Sequence, residues 1–179
     1  MGFGGARTIF ALACAVAVVA ATAPAALSTQ RSSASSLATL DAGVLQQLNA
    51  IRVQNGLVAL RENPALDAAA TQHSREMAVD GYFDHNSFNG TSFSSRITHW
   101  YEVSGYSSWA VGENLLWSSP TIDPAGALRL WMHSPDHRRN ILDPDWREIG
   151  ISAVHQHAAT GTYRHRSVTI ITTDFGVRR

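Results

Sequence analysis

Ser167 to Phe175 reads Ser-Val-Thr-Ile-Ile-Thr-Thr-Asp-Phe, a run so rich in β-branched side chains that it predicts a strand, and a strand needs partners. A second candidate lies just before it. From Glu148 to Val154, Ile149 and Ile151 alternate with Gly150 and Ser152, and the turn between the two runs contains Gly161. A third segment, Trp109 to Trp117, alternates imperfectly and carries Glu113. The rest of the chain has helical spacing. Val44, Leu45, Leu48 and Ile51 form one stripe between a candidate cap at Asp41 and the stop signal Asn55-Gly56. Asn63-Pro64 opens a second helix, with Leu66, Ala70, His73 and Met77 on one face and Gly81 at its end. Thr91-Ser92 precedes a short helix through Phe93, Ile97 and Trp100. Asp123-Pro124 opens another, which is expected to end before Pro135 and to leave His137 on a loop. Helices preceding strands in this way predict a mixed α/β class with an antiparallel sheet.

The N-terminus carries a different signal. Arg7 precedes an unbroken apolar run from Ile9 to Ala21, and Ala23-Pro24-Ala25 has the small-x-small pattern of a signal-peptidase site. Residues 1–25 are therefore read as an export signal cut after Ala25, because Pro24 next to the scissile bond hinders the earlier cut. The rival reading is an uncleaved anchor, which the weak transfer energy of alanine and the few flanking arginines disfavour. Residues 26–40 lack either period and are expected to be a flexible leader, with the folded domain over 41–176. Cys14, the only cysteine, lies inside the apolar run, so an exported chain would hold no disulfide.

Composition bounds the function classes. A 45% hydrophobic share of 179 residues suffices for one real core. The 14 basic residues are all arginine and are matched by 14 acidic ones, so no nucleic-acid partner is expected. Phosphate-loop and dinucleotide motifs are absent, as is the Gly-x-Ser-x-Gly elbow of a serine hydrolase. A monomer outside the cell is the expectation.

The ordered set Leu48-Asn49-x-x-Arg52, His73-Ser74, Gly81-Tyr82-Phe83-x-His85, Gly112-Glu113-Asn114, Trp131-x-x-Ser134-Pro135-x-His137-Arg138-x-Asn140-Ile141-Leu142, Glu148-Ile149-Gly150 and Asp174-Phe175-Gly176 resembles the bacterial branch of the CAP superfamily. These are SCP-like extracellular proteins related to cysteine-rich secretory proteins, antigen 5 and plant pathogenesis-related proteins. The resemblance implies an α-β-α sandwich around a three- to four-stranded antiparallel sheet, with a cleft where many relatives hold zinc or another divalent metal on two His and two Glu. Matched by motif, the metal ligands here would be His85, Glu113 and His137. Ser134 stands where eukaryotic relatives have the second glutamate, and Ser134, Asn114 and His73 are expected to line the same cleft. Two imidazoles and one carboxylate form a zinc ligand set with an open fourth position.

Two readings of these residues stand side by side: reversible metal binding, or hydrogen-bonded pins that hold the cleft loops together. Ser134, His137 and Glu113 can also be drawn as a triad. His73-x-x-Glu76 lacks the second histidine of a metalloprotease helix. It is read as a hydrogen-bonded histidine near the cleft floor. His155, His157 and His165 are expected to be solvated, with a small allowance for adventitious metal binding. The resemblance carries no agreed catalytic activity. The expected function is therefore a secreted ligand-binding or interaction module with a lipid, sterol or cell-surface glycan partner, and the alternative is a zinc-dependent hydrolase. Trp100, Trp109, Trp117, Tyr101 and Tyr106 serve either as core or as an apolar groove.

Overall fold

The computed structural model describes the backbone from Ala25 to Arg179 and side chains from Ser36 onward. The export-signal reading of residues 1–25 falls outside the described residues except for Ala25. The elements run α1 (Ala25–Gln54), β1 (Arg61–Glu62), α2 (Pro64–Asp80), α3 (Phe93–Trp100), β2 (Trp109–Ser118), α4 (Pro124–His133), α5 (Pro135–Ile141), β3 (Glu148–Ala159) and β4 (Arg166–Arg178). The sheet order is β1-β3-β4-β2. β3 and β2 flank β4 antiparallel, whereas β1 runs parallel to β3. The sheet is thus mixed rather than purely antiparallel. The two-residue β1 was too short to carry a periodic signal.

The β-branched run sits where its composition demands. β4 is buried along almost its whole length, with Ile171 and Phe175 facing the cluster under α1 and α4, and Val168 and Ile170 facing the cluster under α2. Layers of helix on both sides of the sheet follow, which is the α-β-α sandwich the resemblance implied.

α1 corrects the sequence reading. Asp41 is not a cap, and residues 26–40 are not a coil, because the helix extends unbroken from Ala25. Leu37 and Leu40 continue the stripe of Val44 and Leu48 onto the sheet, and that burial carries the helix beyond the apparent start signal. Asp41 instead points inward, where its Oδ1 accepts the Ala153 amide at 2.8 Å. Among the described residues no helix is long and apolar enough to cross a membrane.

α2 follows its sequence signals closely. Asn63 Oδ1 accepts the Ala65 amide at 2.9 Å, Pro64 occupies the first turn, and Gly81 closes the helix at φ 71°. The helix lies directly on β3. A Cβ at Gly150 would stand 2.0 Å from the Leu66 carbonyl carbon, and Asp67 Oδ1 accepts the Ile151 amide at 2.9 Å. Main chain on main chain leaves no flexible side chain to yield.

Gly150→Ala should therefore cost about 3 kcal/mol or more in urea unfolding, as overpacking against backbone does. A loss below about 1 kcal/mol would mean that α2 shifts freely on the sheet.

Asp41 gives a pH prediction. Burial pushes its carboxyl up to about 7 from the ordinary 3.8. Between those values the unfolded chain releases a proton that the folded chain keeps, so this group's contribution to stability falls as pH rises. Asp41→Asn keeps an oxygen for the Ala153 amide and removes the titration. Its melting temperature should gain on wild type between about pH 4 and about pH 8, the window spanning the two values; an unchanged difference across that range would place the carboxyl in solvent.

Candidate functional site

Three segments meet beside the edge strand β2. The loop after α2 brings His85, β2 brings Glu113 and Asn114, and the α4–α5 junction brings Ser134 and His137. Together with Asp136, Arg139, Asn140 and Asp143 they line a cavity of about 440 Å³. Five of the six residues singled out from the sequence therefore share one cleft. His73 does not line it: the ring is fully buried behind Glu113, and its Nε2 donates to the Asp84 carbonyl at 2.9 Å.

His137 is on a helix, not a loop. Pro135 ends α4 but starts α5, because a proline lacks only an amide that the first helical turn does not need. Two asparagines then fix α5 against β2. Asn114 Nδ2 donates to the His137 carbonyl at 3.2 Å, and Asn140 Nδ2 donates to the Glu113 carbonyl and to Asn114 Oδ1, each at 3.1 Å. The Trp146 indole donates in turn to the Asn140 carbonyl at 3.0 Å.

Glu113 is the electrostatic centre. Its side chain is 1% exposed and both oxygens are engaged: His85 Nδ1 lies 2.7 Å from Oε1, and the Arg96 guanidinium donates to Oε2. Arg96, also buried, donates to the His85 carbonyl at 2.9 Å. Directly across the β2–β4 ladder stands Asp174, fully buried, with neither oxygen meeting an ordinary donor. Burial, and then the facing Glu113 charge, push its carboxyl well above the carboxylate range. The two facing carboxyls thus resist carrying two negative charges at once. The hydrogen bond to Glu113 holds the His85 imidazole above its ordinary value, whereas burial and the nearby His85 depress His137.

The family described as the cysteine-rich secretory protein family, CAP, matches residues 45–171. The chain belongs to the CAP family. YkwD of Bacillus subtilis is 32% identical over 127 residues, covering 70% of this chain and 47% of that protein. The chain therefore spans about half the length of this relative. Two solved structures share the fold. An extracellular protein containing an SCP domain from Bacillus anthracis str. Ames superposes with a TM-score of 0.57 at 24% identity, over 80% of this chain and 43% of that one. An outer surface protein from Borrelia burgdorferi gives 0.54 at 20% identity, over 75% of this chain and 90% of that one. The first of these is described as extracellular and the second as an outer surface protein.

The donor set of this CAP cleft does not fit a divalent ion as it is arranged. Among the described residues no group of three or more His, Cys, Asp or Glu side chains is placed to hold one. The one carboxylate in question already carries a guanidinium, which supplies the positive charge that a metal would bring. A nucleophilic triad is not assembled either. No hydrogen bond joins Ser134, His137 and Glu113 among the described residues, and Glu113 pairs with the other histidine, His85.

The aromatic residues go elsewhere. Tyr101 is buried, Trp117 packs edge-on against Tyr163 at 5.4 Å, and the exposed Trp100, Tyr106 and Trp109 all lie outside the cleft wall.

Sequence reasoning missed Arg96 and Asp174. Asp174 left two traces, its place in the Asp174-Phe175-Gly176 motif and a carboxylate inside an otherwise β-branched and apolar run, but neither gave it a role. Arg96 left none, since an arginine in a short amphipathic helix reads as solvated surface.

Arg96→Gln should lower stability by about 3–5 kcal/mol, because a buried carboxylate loses its counter-charge. Millimolar Zn²⁺ should then raise the melting temperature of the variant and not that of wild type, by mass action on the folded state. An equal zinc shift in both proteins would show that the guanidinium is no barrier to the ion.

Proposed function

We propose that this CAP domain is a secreted or surface-exposed binding module whose cleft takes a hydrophilic ligand, a cell-surface glycan in preference to a lipid or sterol. The observation that carries this reading is the lining of the cleft. Its wall is made of imidazole, amide, hydroxyl, guanidinium and carboxylate groups, from His85 and Asn114 to Ser134, His137, Arg139 and Asn140. Such a wall recognises hydroxyls and amides through directed hydrogen bonds and leaves a sterol or acyl chain without apolar contact.

Two features favour binding over catalysis. Glu113 is committed to Arg96, so it is a weak candidate for a general base. His137 has no hydrogen-bonded hydroxyl partner among the described residues, so Ser134 is not paired with it as a nucleophile. A zinc-dependent hydrolase on His85, Glu113 and His137 requires His85 Nδ1 to give up Glu113 Oε1, the oxygen that Arg96 does not hold.

The test is a nitrogen-edited NMR titration with soluble oligosaccharides, and separately with fatty-acid micelles. Oligosaccharides should shift the amides of Asn114, Ser134, His137 and Asn140, and His137→Ala should weaken binding roughly tenfold. Shifts produced by the micelles alone, centred away from these residues, would overturn the reading.

A further inference from the structure

Far from the cleft, β3 carries two histidines two residues apart. Successive side chains of a strand point to opposite faces, so His155 and His157 project from the same face, the one covered by α1. Their ring centroids are 4.7 Å apart at an interplanar angle of 78°. The sequence reading expected solvated rings. Instead His155 is half-buried, and both rings border a cavity of about 340 Å³ walled by Leu37, Leu40, Thr121 and Ile122.

The proton positions follow from the hydrogen bonds. Thr169, opposite His155 in the ladder, donates its only hydroxyl proton to the Pro120 carbonyl at 3.1 Å. Its oxygen can therefore only accept from His155 Nδ1, which lies 3.1 Å away. That fixes the proton of His155 on Nδ1 and leaves the Nε2 lone pair free. His157 Nδ1 is likewise engaged, 3.0 Å from Ser167 Oγ, so Nε2 is its remaining coordinating atom. An imidazole whose Nδ1–H is held by an oxygen is the arrangement that orients a metal-ligating histidine.

We propose that His155 and His157 form a bidentate site for a late divalent transition ion, with Cu(II) the tightest of the series and water completing its coordination shell. Several features suit the ion. The rings stand 4.7 Å apart with each Nδ1 facing a hydroxyl oxygen, which turns both Nε2 atoms to the coordinating role. His157 is exposed and keeps the outer coordination positions open to solvent. The bulge between Gln156 and Ala159 takes in His157 itself, with Ala158 in the left-handed region at φ 50°, and so sets the aim of that ring. None of these residues belongs to the His85 cleft.

The experiment titrates the tag-free full chain with copper(II) in a buffer that does not coordinate the ion and records binding heats and the EPR spectrum. A single copper with nitrogen superhyperfine structure is expected. His155→Gln and His157→Gln should each weaken it at least roughly tenfold, and Thr169→Val, which keeps both rings but frees the Nδ1 proton, should weaken it by about that factor. His137→Ala should leave it unchanged, since that ring faces the other site. Copper binding that survives both glutamine variants, or that is lost in His137→Ala, or the absence of any nitrogen-coordinated copper, would overturn the proposal.

Discussion

A carboxylate at 1% exposure cannot stay charged unless its surroundings replace the water it has lost, and everything around Glu113 is arranged to do so. Arg96 supplies the counter-charge and His85 a hydrogen bond, while burial and then the facing Glu113 charge push the Asp174 carboxyl up. Each partner arrives from a different element. His85 comes from the loop after α2, Arg96 from α3 and Asp174 from β4. The pairing of Glu113 therefore ties a surface loop, a short helix and the central strand to the edge strand β2, and the mouth of the cleft inherits that rigidity.

The scaffold behind the site depends on close approach. α2 rests on β3 through Gly150 without an intervening side chain, and Ser74 reaches down from α2 to Thr172 Oγ1 at 2.8 Å and to the Ser152 carbonyl at 2.9 Å. On the opposite layer Arg52, wholly buried at the end of α1, donates to the carbonyls of Ile141 at 2.7 Å and Asp143 at 2.8 Å. That clamp fixes the end of α5, the helix that presents His137. Backbone carbonyls are fixed acceptors, so the guanidinium locates the helix end more firmly than an ion pair on a flexible side chain would.

How much of this could be read from residues alone differs with the range of the interaction. The Asn63-Pro64 start and Gly81 stop of α2, the Ser92 cap of α3 and the Asp123-Pro124 start of α4 all appear where their local chemistry places them. So does the strand character of 167–175. The true length of α1 was hidden because Asp41 looks like a cap, and only its contact with the Ala153 amide, 112 residues away, shows why it tolerates a helix interior. The cleft residues were legible as a set because they recur in an ordered motif. Their pairing was not, since nothing local in Phe93 to Trp100 says that Arg96 points inward.

The position of Ser134 and the presence of Arg96 form one argument. A cleft with two carboxylates has excess negative charge that a divalent cation neutralises, so it has a physical reason to bind one. Here Ser134 puts a hydroxyl where the second carboxylate would stand, Glu113 carries a guanidinium from the chain itself, and burial and the Glu113 charge push the Asp174 carboxyl up. The chain itself thus supplies part of the positive charge that an ion would bring. The open, polar wall formed by Asn114, Asn140 and His137 adds a rim of hydrogen-bond donors and acceptors where the cleft meets solvent.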